Sequence, residues 1–174
     1  MSHYVASYSE NSLKLLNDAE KEAKSRNHVI LGTEHIIYVM CKNSNPNRAI
    51  KWIARTVYPQ ASIEDAIELT RSQIMKWIEN RSGFKHMKSN KNNININTNI
   101  NLIHSESLIE TLKLAEKIGS RPISDGGVII KNGIIATEFI LVSILLEGCG
   151  IGATALTYFS KGLINSSKLL DAIN

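Results

Sequence analysis

The stretch Gly32-Thr33-Glu34-His35-Ile36 opens an apolar run, and Ala136-Thr137-Glu138-Phe139-Ile140 opens a second one about a hundred residues later. Each run follows a similar polar and then amphipathic segment, which begins at Tyr8-Ser9-Glu10 in the first case and at His104-Ser105-Glu106 in the second. A tandem repeat of this length predicts two supersecondary units packed side by side, with two copies of any site. The pattern therefore favours a pseudo-symmetric binding surface over one deep catalytic pocket.

Within each repeat the apolar residues recur at helical spacing and predict four helices. Ser9 is suited to cap the first helix, which we expect to run to about Ser25, because its hydroxyl can accept a bond from an amide of the first turn. Thr33 and Thr137 are predicted to cap the second and sixth helices in the same way. The expected fold is all-α, with eight helices in two tandem four-helix repeats.

The two repeats are separated by a segment of different composition. Residues Asn90 to Asn101 are almost entirely Asn, Ile, Lys and Thr, which is a low-complexity pattern typical of a disordered linker. The predicted organisation is a first repeat at 1–81, a disordered Asn-rich linker at 82–103 and a second repeat at 104–174, together one domain. The second repeat also contains a loop, Pro122 to Gly133, that is longer than its counterpart.

Composition limits the partners and the compartment. A chain of 174 residues can bury a core without help from disulfides or metals. Two cysteines with no CxxC spacing, and no secretory signal, predict a reduced intracellular compartment. No apolar run reaches the roughly 18 to 20 residues of a membrane span, so we expect a soluble protein that binds no membrane. The net charge of +4 and the basic stretch Arg81–Lys91 come without a base-reading motif, so we expect no nucleic acid partner.

The motifs that usually indicate enzymes or cofactor sites have simpler interpretations here. Gly148-Cys149-Gly150-Ile151-Gly152-Ala153 fits the dinucleotide pattern G-x-G-x-x-A, but too little chain follows it for a complete βαβ unit. No P-loop motif is present, and the histidines and cysteines lack ligand spacing. We therefore expect a chain that is not an enzyme and that has no metal and no cofactor of its own.

The two Thr-Glu pairs allow two interpretations. Either Thr33 and Thr137 are simple helix caps, with Glu34 and Glu138 favoured by the helix dipole, or each pair belongs to a recognition site. In such a site the amides at the helix N-terminus would bind an anion, and the carboxylate would accept hydrogen bonds from a guanidinium. The residues alone leave both interpretations open.

A family resemblance rests on Tyr8-Ser9-Glu10, Ala19-Glu20-Lys21-Glu22-Ala23 and Gly32-Thr33-Glu34-His35-Ile36-Ile37 in the first repeat. In the second repeat it rests on Ala136-Thr137-Glu138-Phe139-Ile140-Leu141 and Glu147-Gly148-Cys149-Gly150-Ile151-Gly152-Ala153. These segments resemble the N-terminal domain of Clp-type AAA+ unfoldases, and most of all the ClpC kind. The resemblance extends over everything except the linker and the long loop.

The resemblance implies two four-helix repeats related by a pseudo-twofold axis and mounted above a hexameric ATPase, whose cofactor would be ATP. Such domains receive substrate proteins or adaptor proteins, often on behalf of a Clp peptidase. In ClpC-like proteins each repeat can also bind phosphoarginine, a degradation tag. The residues matching that pocket are Ser9 and Glu34 in the first repeat, and Ser105 and Glu138 in the second. Phe139 and Ala136 stand where the family has His and Gly, so one pocket can have diverged.

Three functions remain open on this basis. The leading hypothesis is a docking domain for substrates and adaptors of a Clp ATPase. The alternative is a stand-alone Clp-like accessory protein that binds and stabilises a Clp peptidase core. A third is a general binder of unfolded segments through an apolar groove between the repeats. The resemblance further suggests a plastid-type stroma, with the cytosol as the alternative.

Overall fold

The computed structural model describes residues 7–43, 45–81, 83–84, 101–119, 124–125, 128–129 and 133–173. This part of the chain is mostly helical, with only short strands, which confirms the all-α class. Its eight helices are α1 (Glu10–Ser25), α2 (Thr33–Lys42), α3 (Arg48–Val57), α4 (Ile63–Glu79), α5 (Glu106–Gly119), α6 (Thr137–Glu147), α7 (Ile151–Ser160) and α8 (Ser166–Ile173). The relation of the two halves by a pseudo-twofold axis stays a prediction.

Side-chain caps begin five of these helices, including α5, where Ser105 accepts from the Leu108 amide, and α8, where Asn165 accepts from the Lys168 amide. The Ser9 hydroxyl accepts a hydrogen bond from the Ser12 amide at 3.1 Å, so the predicted cap of α1 is confirmed. Asn47 caps α3 through the Ile50 amide, and Ser62 caps α4 through the Asp65 amide. Each cap satisfies an amide that the first turn of a helix leaves without an internal partner.

The predicted caps Thr33 and Thr137 are wrong. The N-cap positions are Gly32 and Ala136, neither of which makes a side-chain cap bond, and the threonines are the first helical residues. The Thr33 hydroxyl instead accepts a hydrogen bond from the Gly152 amide at 3.0 Å. A capping hydroxyl would bond an amide in its own helix, whereas Gly152, the partner of Thr33, is 119 positions away in the chain.

Within the described ranges, six strands of two residues each form three pairs. They are β1 (Ser7–Tyr8), β2 (Ile30–Leu31), β3 (Ile103–His104), β4 (Ser124–Asp125), β5 (Val128–Ile129) and β6 (Ile134–Ile135). The pairs β1–β6 and β2–β3 are parallel, and β4–β5 is antiparallel. In each parallel pair a strand from the first half of the chain joins one from the second half, so the two halves pair reciprocally.

One hydrophobic core contains residues from both halves. Its largest fully buried side chains include Ile37, Ile50, Leu108, Ile140 and Ile144. Helix α1 packs on α2 and α5 on α6, while α2 and α4 both pack on α7 across the halves. The halves are therefore joined by a common core and not only by the connecting chain.

The predicted linker at 82–103 lies mostly outside the described residues, but its two ends belong to the packed structure. Phe84 is only 4% exposed and joins the core. Ile103 lies in β3 and pairs with Ile30 of β2. The packed structure therefore extends past Arg81 and begins again before His104.

No single helix in the described ranges is long and apolar enough to cross a membrane. Helices α6 and α7 reach the required length and composition only as a pair, and the pair is bent by 89°.

Candidate functional site

The four predicted site residues lie beside two helix N-termini, one at the start of α2 and one at the start of α6. The Ser105 amide donates to the Leu31 carbonyl at 2.9 Å, which places Ser105 next to the strand that leads into α2 and Glu34. The Ser9 amide donates to the Ile135 carbonyl at 3.0 Å, which places Ser9 next to the strand that leads into α6. The backbone thus brings Ser105 towards Glu34 and Ser9 towards Glu138. Each pair joins the two repeats, whereas the predicted pairs were Ser9 with Glu34 and Ser105 with Glu138, each within one repeat.

Both serine hydroxyls already serve as helix caps. The Ser105 hydroxyl accepts from the Leu108 amide at 3.2 Å, as the Ser9 hydroxyl does from Ser12. The Ser9 hydroxyl also shares a hydrogen bond with the Ser12 hydroxyl, which in turn donates to the Ile135 carbonyl at 2.7 Å. A hydroxyl accepts through two lone pairs, so each can still bind a ligand while it caps its helix.

Glu34 is the most unusual carboxylate in the described part of the chain. It lies in the first turn of α2, its side chain is 15% exposed, and its pKa is raised above the ordinary value by burial, against the opposing effect of its own backbone amide. The carboxylate folds back over Gly32, and a Cβ atom at Gly32 would collide with both of its oxygens. Among the described residues, no lysine or arginine lies within ion-pair distance of it.

The ring beside Glu34 is a neutral histidine. The Gly32 amide donates to Nδ1 of His35 at 3.1 Å, so this nitrogen is the acceptor and the proton is on Nε2, which lies 2.7 Å from Nδ1 of His28. Burial, and then the neighbouring His28, lower the pKa of His35 to about 4. The 3.4 Å contact between His35 and Glu34 is consequently not an ion pair at neutral pH.

Glu34 opens into a cleft of about 370 Å³. The lining combines apolar, ring and charged groups, namely Asn27, His28, Val29, Ile30, Glu34, His35, Arg81, Gly83, Phe84 and Ile151. Val29 and Ile30 are more than half exposed, at 59% and 51%. The cleft is mostly apolar, and the Glu34 carboxylate in its lining is largely buried. Such a cleft is suited to a ligand that has both an apolar part and a cationic part.

A buried arginine holds one wall of this cleft. The Arg26 side chain is 3% exposed, donates to Glu22 at 2.7 Å and donates to the Phe84 carbonyl at 2.8 Å. Its guanidinium also lies over the rings of Phe84 and Tyr38, at 4.2 and 4.6 Å from their centroids. Burial alone would raise the pKa of Glu22, but hydrogen bonds from Lys42 and Arg26 lower it. Arg26 thereby ties the chain after α4 to α1.

The site at α6 differs from the site at α2. The Glu138 carboxylate accepts from the Thr137 hydroxyl at 3.1 Å, and that hydroxyl accepts from the Asn47 side chain at 3.2 Å. Ala136 stands where α2 has Gly32, and the Cβ atom that Ala136 carries is the atom that would displace a carboxylate folded like that of Glu34. Phe139 replaces His35, so no pair of histidine rings forms here.

The glycine-rich motif before α7 has a packing role. A helix, not a strand, precedes it, because α6 ends at Glu147. The Glu147 carboxylate accepts from the amides of Cys149 and Gly150, at 3.0 and 3.1 Å. A Cβ atom at Gly152 would lie 2.7 Å from the Thr33 carbonyl oxygen, so the glycine allows α7 to approach α2. Among the described residues, no group of three His, Cys, Asp or Glu side chains could hold a metal ion.

No family model matches this chain, and no curated protein matches it either. The resemblance set out above therefore rests on the quoted motifs.

Sequence reasoning missed most of the cleft around Glu34. Arg26 and His28 were missed because both reach the cleft through contacts with Phe84, which is distant from them in the chain. One signal was available in the sequence. Gly32 and Ala136 occupy equivalent positions in the two repeats, and the Cβ atom of an alanine at Gly32 would collide with the Glu34 carboxylate.

Proposed function

We propose that this chain is a docking domain of a Clp-type unfoldase, which receives substrate proteins and adaptor proteins and recognises phosphoarginine at Glu34. The observation that carries the proposal is the largely buried Glu34 carboxylate, which lies at a helix N-terminus in an apolar cleft and has no lysine or arginine partner in the described ranges. A guanidinium would supply the missing cation, and bidentate hydrogen bonding to a carboxylate is the strongest interaction it makes.

The placement of Ser105 supports the same ligand. It lies beside the strand leading into α2, so a ligand at Glu34 would meet a serine hydroxyl and the first amides of α2. Helix N-termini favour anions, and a phosphoryl group attached to the guanidinium would meet that preference. The reciprocal strand pairs support two sites, each built from residues of both repeats rather than within one repeat as the resemblance implied.

The wider context is part of the proposal. The parent protein would be a hexameric ATPase acting with a Clp peptidase, and a plastid-type stroma is the compartment we propose. We further propose that the site at α2 binds the tag more tightly than the site at α6, because the Glu138 carboxylate is already bonded to Thr137.

Titration of phosphoarginine into isotopically labelled protein tests this function. We expect amide shifts near Glu34 and Ser105 first, with weaker shifts near Ser9 and Glu138. Glu34→Ala should abolish the first set while the protein keeps its helical circular dichroism. Free arginine and inorganic phosphate serve as controls for the two halves of the ligand. No shifts at millimolar phosphoarginine, or unchanged affinity in Glu34→Ala, would contradict the proposal.

A further inference from the structure

A second surface borders the Glu34 cleft and has a different chemistry. The Arg81 guanidinium lies 4.0 Å from the centroid of the Trp77 ring. The centroid of the Tyr158 ring lies 5.8 Å from that of the Trp77 ring. Tyr158 is 69% exposed, although it is a large aromatic residue. Arg81 and Ile151 also line the cleft. We call Trp77, Arg81, Ile151 and Tyr158 the aromatic face.

The aromatic face has the residue composition of a hot spot in a protein–protein interface. Trp, Tyr and Arg are the residues that most often dominate the binding energy of protein interfaces. Stacking on Trp77 also restricts the Arg81 side chain, so less conformational entropy is lost when it binds a partner. The face is formed by the end of α4, the residue Arg81 just after it, and α7; these come from different halves of the chain, so the face exists only in the assembled domain.

The charge on this face indicates the partner. Among the described residues, Arg81 has no carboxylate in ion-pair distance, and its one assigned side-chain interaction is with Trp77. Helix α7 contains no Asp or Glu, and its C-cap residue is Lys161. Glu79, the last residue of α4, accepts a hydrogen bond from the Tyr38 hydroxyl. The four residues of the aromatic face are thus cationic, aromatic or apolar, and the carboxylate that borders them is that of Glu34 in the adjoining cleft.

We infer that the aromatic face docks a protein segment in which an acidic side chain lies close to a large apolar one. The acid would bind the stacked guanidinium of Arg81, and the apolar side chain would cover Tyr158 and Ile151. In an extended segment, residues two positions apart lie about 7 Å from each other on the same side, so both groups can approach this face together. A nucleic acid fits less well, because it needs a track of several cations along its backbone. The inference rests on the proposed docking function and names the partner's chemistry.

The test uses the whole chain and a short labelled peptide with Glu and Trp two positions apart in a Gly-Ser background. We expect the peptide to shift the indole signal of Trp77 and to leave that of Trp52, the other tryptophan of the chain, in place. Tyr158→Ala and Arg81→Gln should each weaken peptide binding about tenfold, which is typical of substitutions at interface hot spots. Arg55→Gln and Leu69→Ala, at exposed positions elsewhere, should bind like the natural chain.

Three results would overturn the inference: equal binding of a peptide with Lys in place of Glu, unchanged affinity in Tyr158→Ala, or a shift of both indoles. Circular dichroism checks that each variant folds, and Tyr158 is exposed enough to be replaced without loss of core packing. Phosphoarginine separates this inference from the proposed function, because Tyr158→Ala should bind phosphoarginine normally. A protein that binds phosphoarginine but not the peptide keeps the function and loses the inference.

Discussion

Replacing Arg26 with Met tests whether the buried ion pair holds the cleft wall. The Arg26 side chain is 3% exposed and that of Glu22 is 10% exposed, so removal of the guanidinium leaves a buried carboxylate. Such removals cost about 3–5 kcal/mol, and we expect the lower end, about 3 kcal/mol, because Lys42 still contacts Glu22. Its Nζ lies 3.0 Å from Glu22 Oε2. In a chain of this length each kcal/mol lowers Tm by about 2–4 °C, so the loss should be roughly 6–12 °C.

Thermal unfolding followed by circular dichroism provides the measurement, and Lys42→Met provides the control. Lys42 is 60% exposed, so its contact with Glu22 is screened by water and should be worth less than about 1 kcal/mol. The double variant Glu22→Gln/Arg26→Met should recover part of the lost Tm, because it removes the stranded charge. A Tm loss under about 2 °C in Arg26→Met, or one equal to that of Lys42→Met, would refute the reasoning.

The pH dependence of this variant adds a second check. Because the pKa of Glu22 is lowered in the folded protein, its ionised form contributes stability above the ordinary pKa of 4.5, and this contribution is lost as the pH falls through the folded pKa. The difference between Arg26→Met and the natural chain should therefore shrink in acid.

Three further predictions concern the helix starts. Gly152→Ala should lower stability by about 1–3 kcal/mol, since its Cβ would lie 2.7 Å from a backbone oxygen of Thr33, while Thr154→Ala in the same helix should change Tm little. Gly32→Ala should leave Tm nearly unchanged, because only the flexible Glu34 carboxylate must move, but it should weaken phosphoarginine binding; equal affinity would contradict this geometry. The Tm of Glu34→Gln should rise relative to that of the natural chain as the pH increases from acid to neutral. The reason is that an acid with a raised pKa in the folded state destabilises the fold when it ionises. A Tm difference that stays constant across pH would argue against burial as the cause of the raised pKa of Glu34.

Local patterns were enough to predict the helices. Ser9 caps the predicted first helix, and this could be foreseen because a cap bond reaches only three residues along the chain. Hydrophobic spacing placed the eight helices for the same reason, since a helix presents its buried side every three to four residues. Strands of two residues were not predicted, because they are too short to show an alternating pattern.

Contacts between distant residues account for what the sequence did not reveal. Thr33 has the residue type of a cap, yet its hydroxyl is used by Gly152, which no local rule can anticipate. Phe84 borders an Asn-rich tract and was assigned to a linker, but the guanidinium of Arg26 binds its carbonyl and covers its ring. Of the four predicted site residues, each could be assigned a chemical type from sequence, while the pairing across repeats required the strand register.

The reciprocal strand pairs have a consequence for the order of events during synthesis. Strand β2, which borders the Glu34 cleft, has no partner until Ile103 and His104 emerge from the ribosome, and β1 must wait for Ile134 and Ile135. Pairings between residues so far apart in the chain form slowly, because a long loop must close before the contact contributes. A nascent chain that ends within the first half would thus present the exposed edges of β1 and β2, and its ability to dock a partner would appear only when the second half is complete.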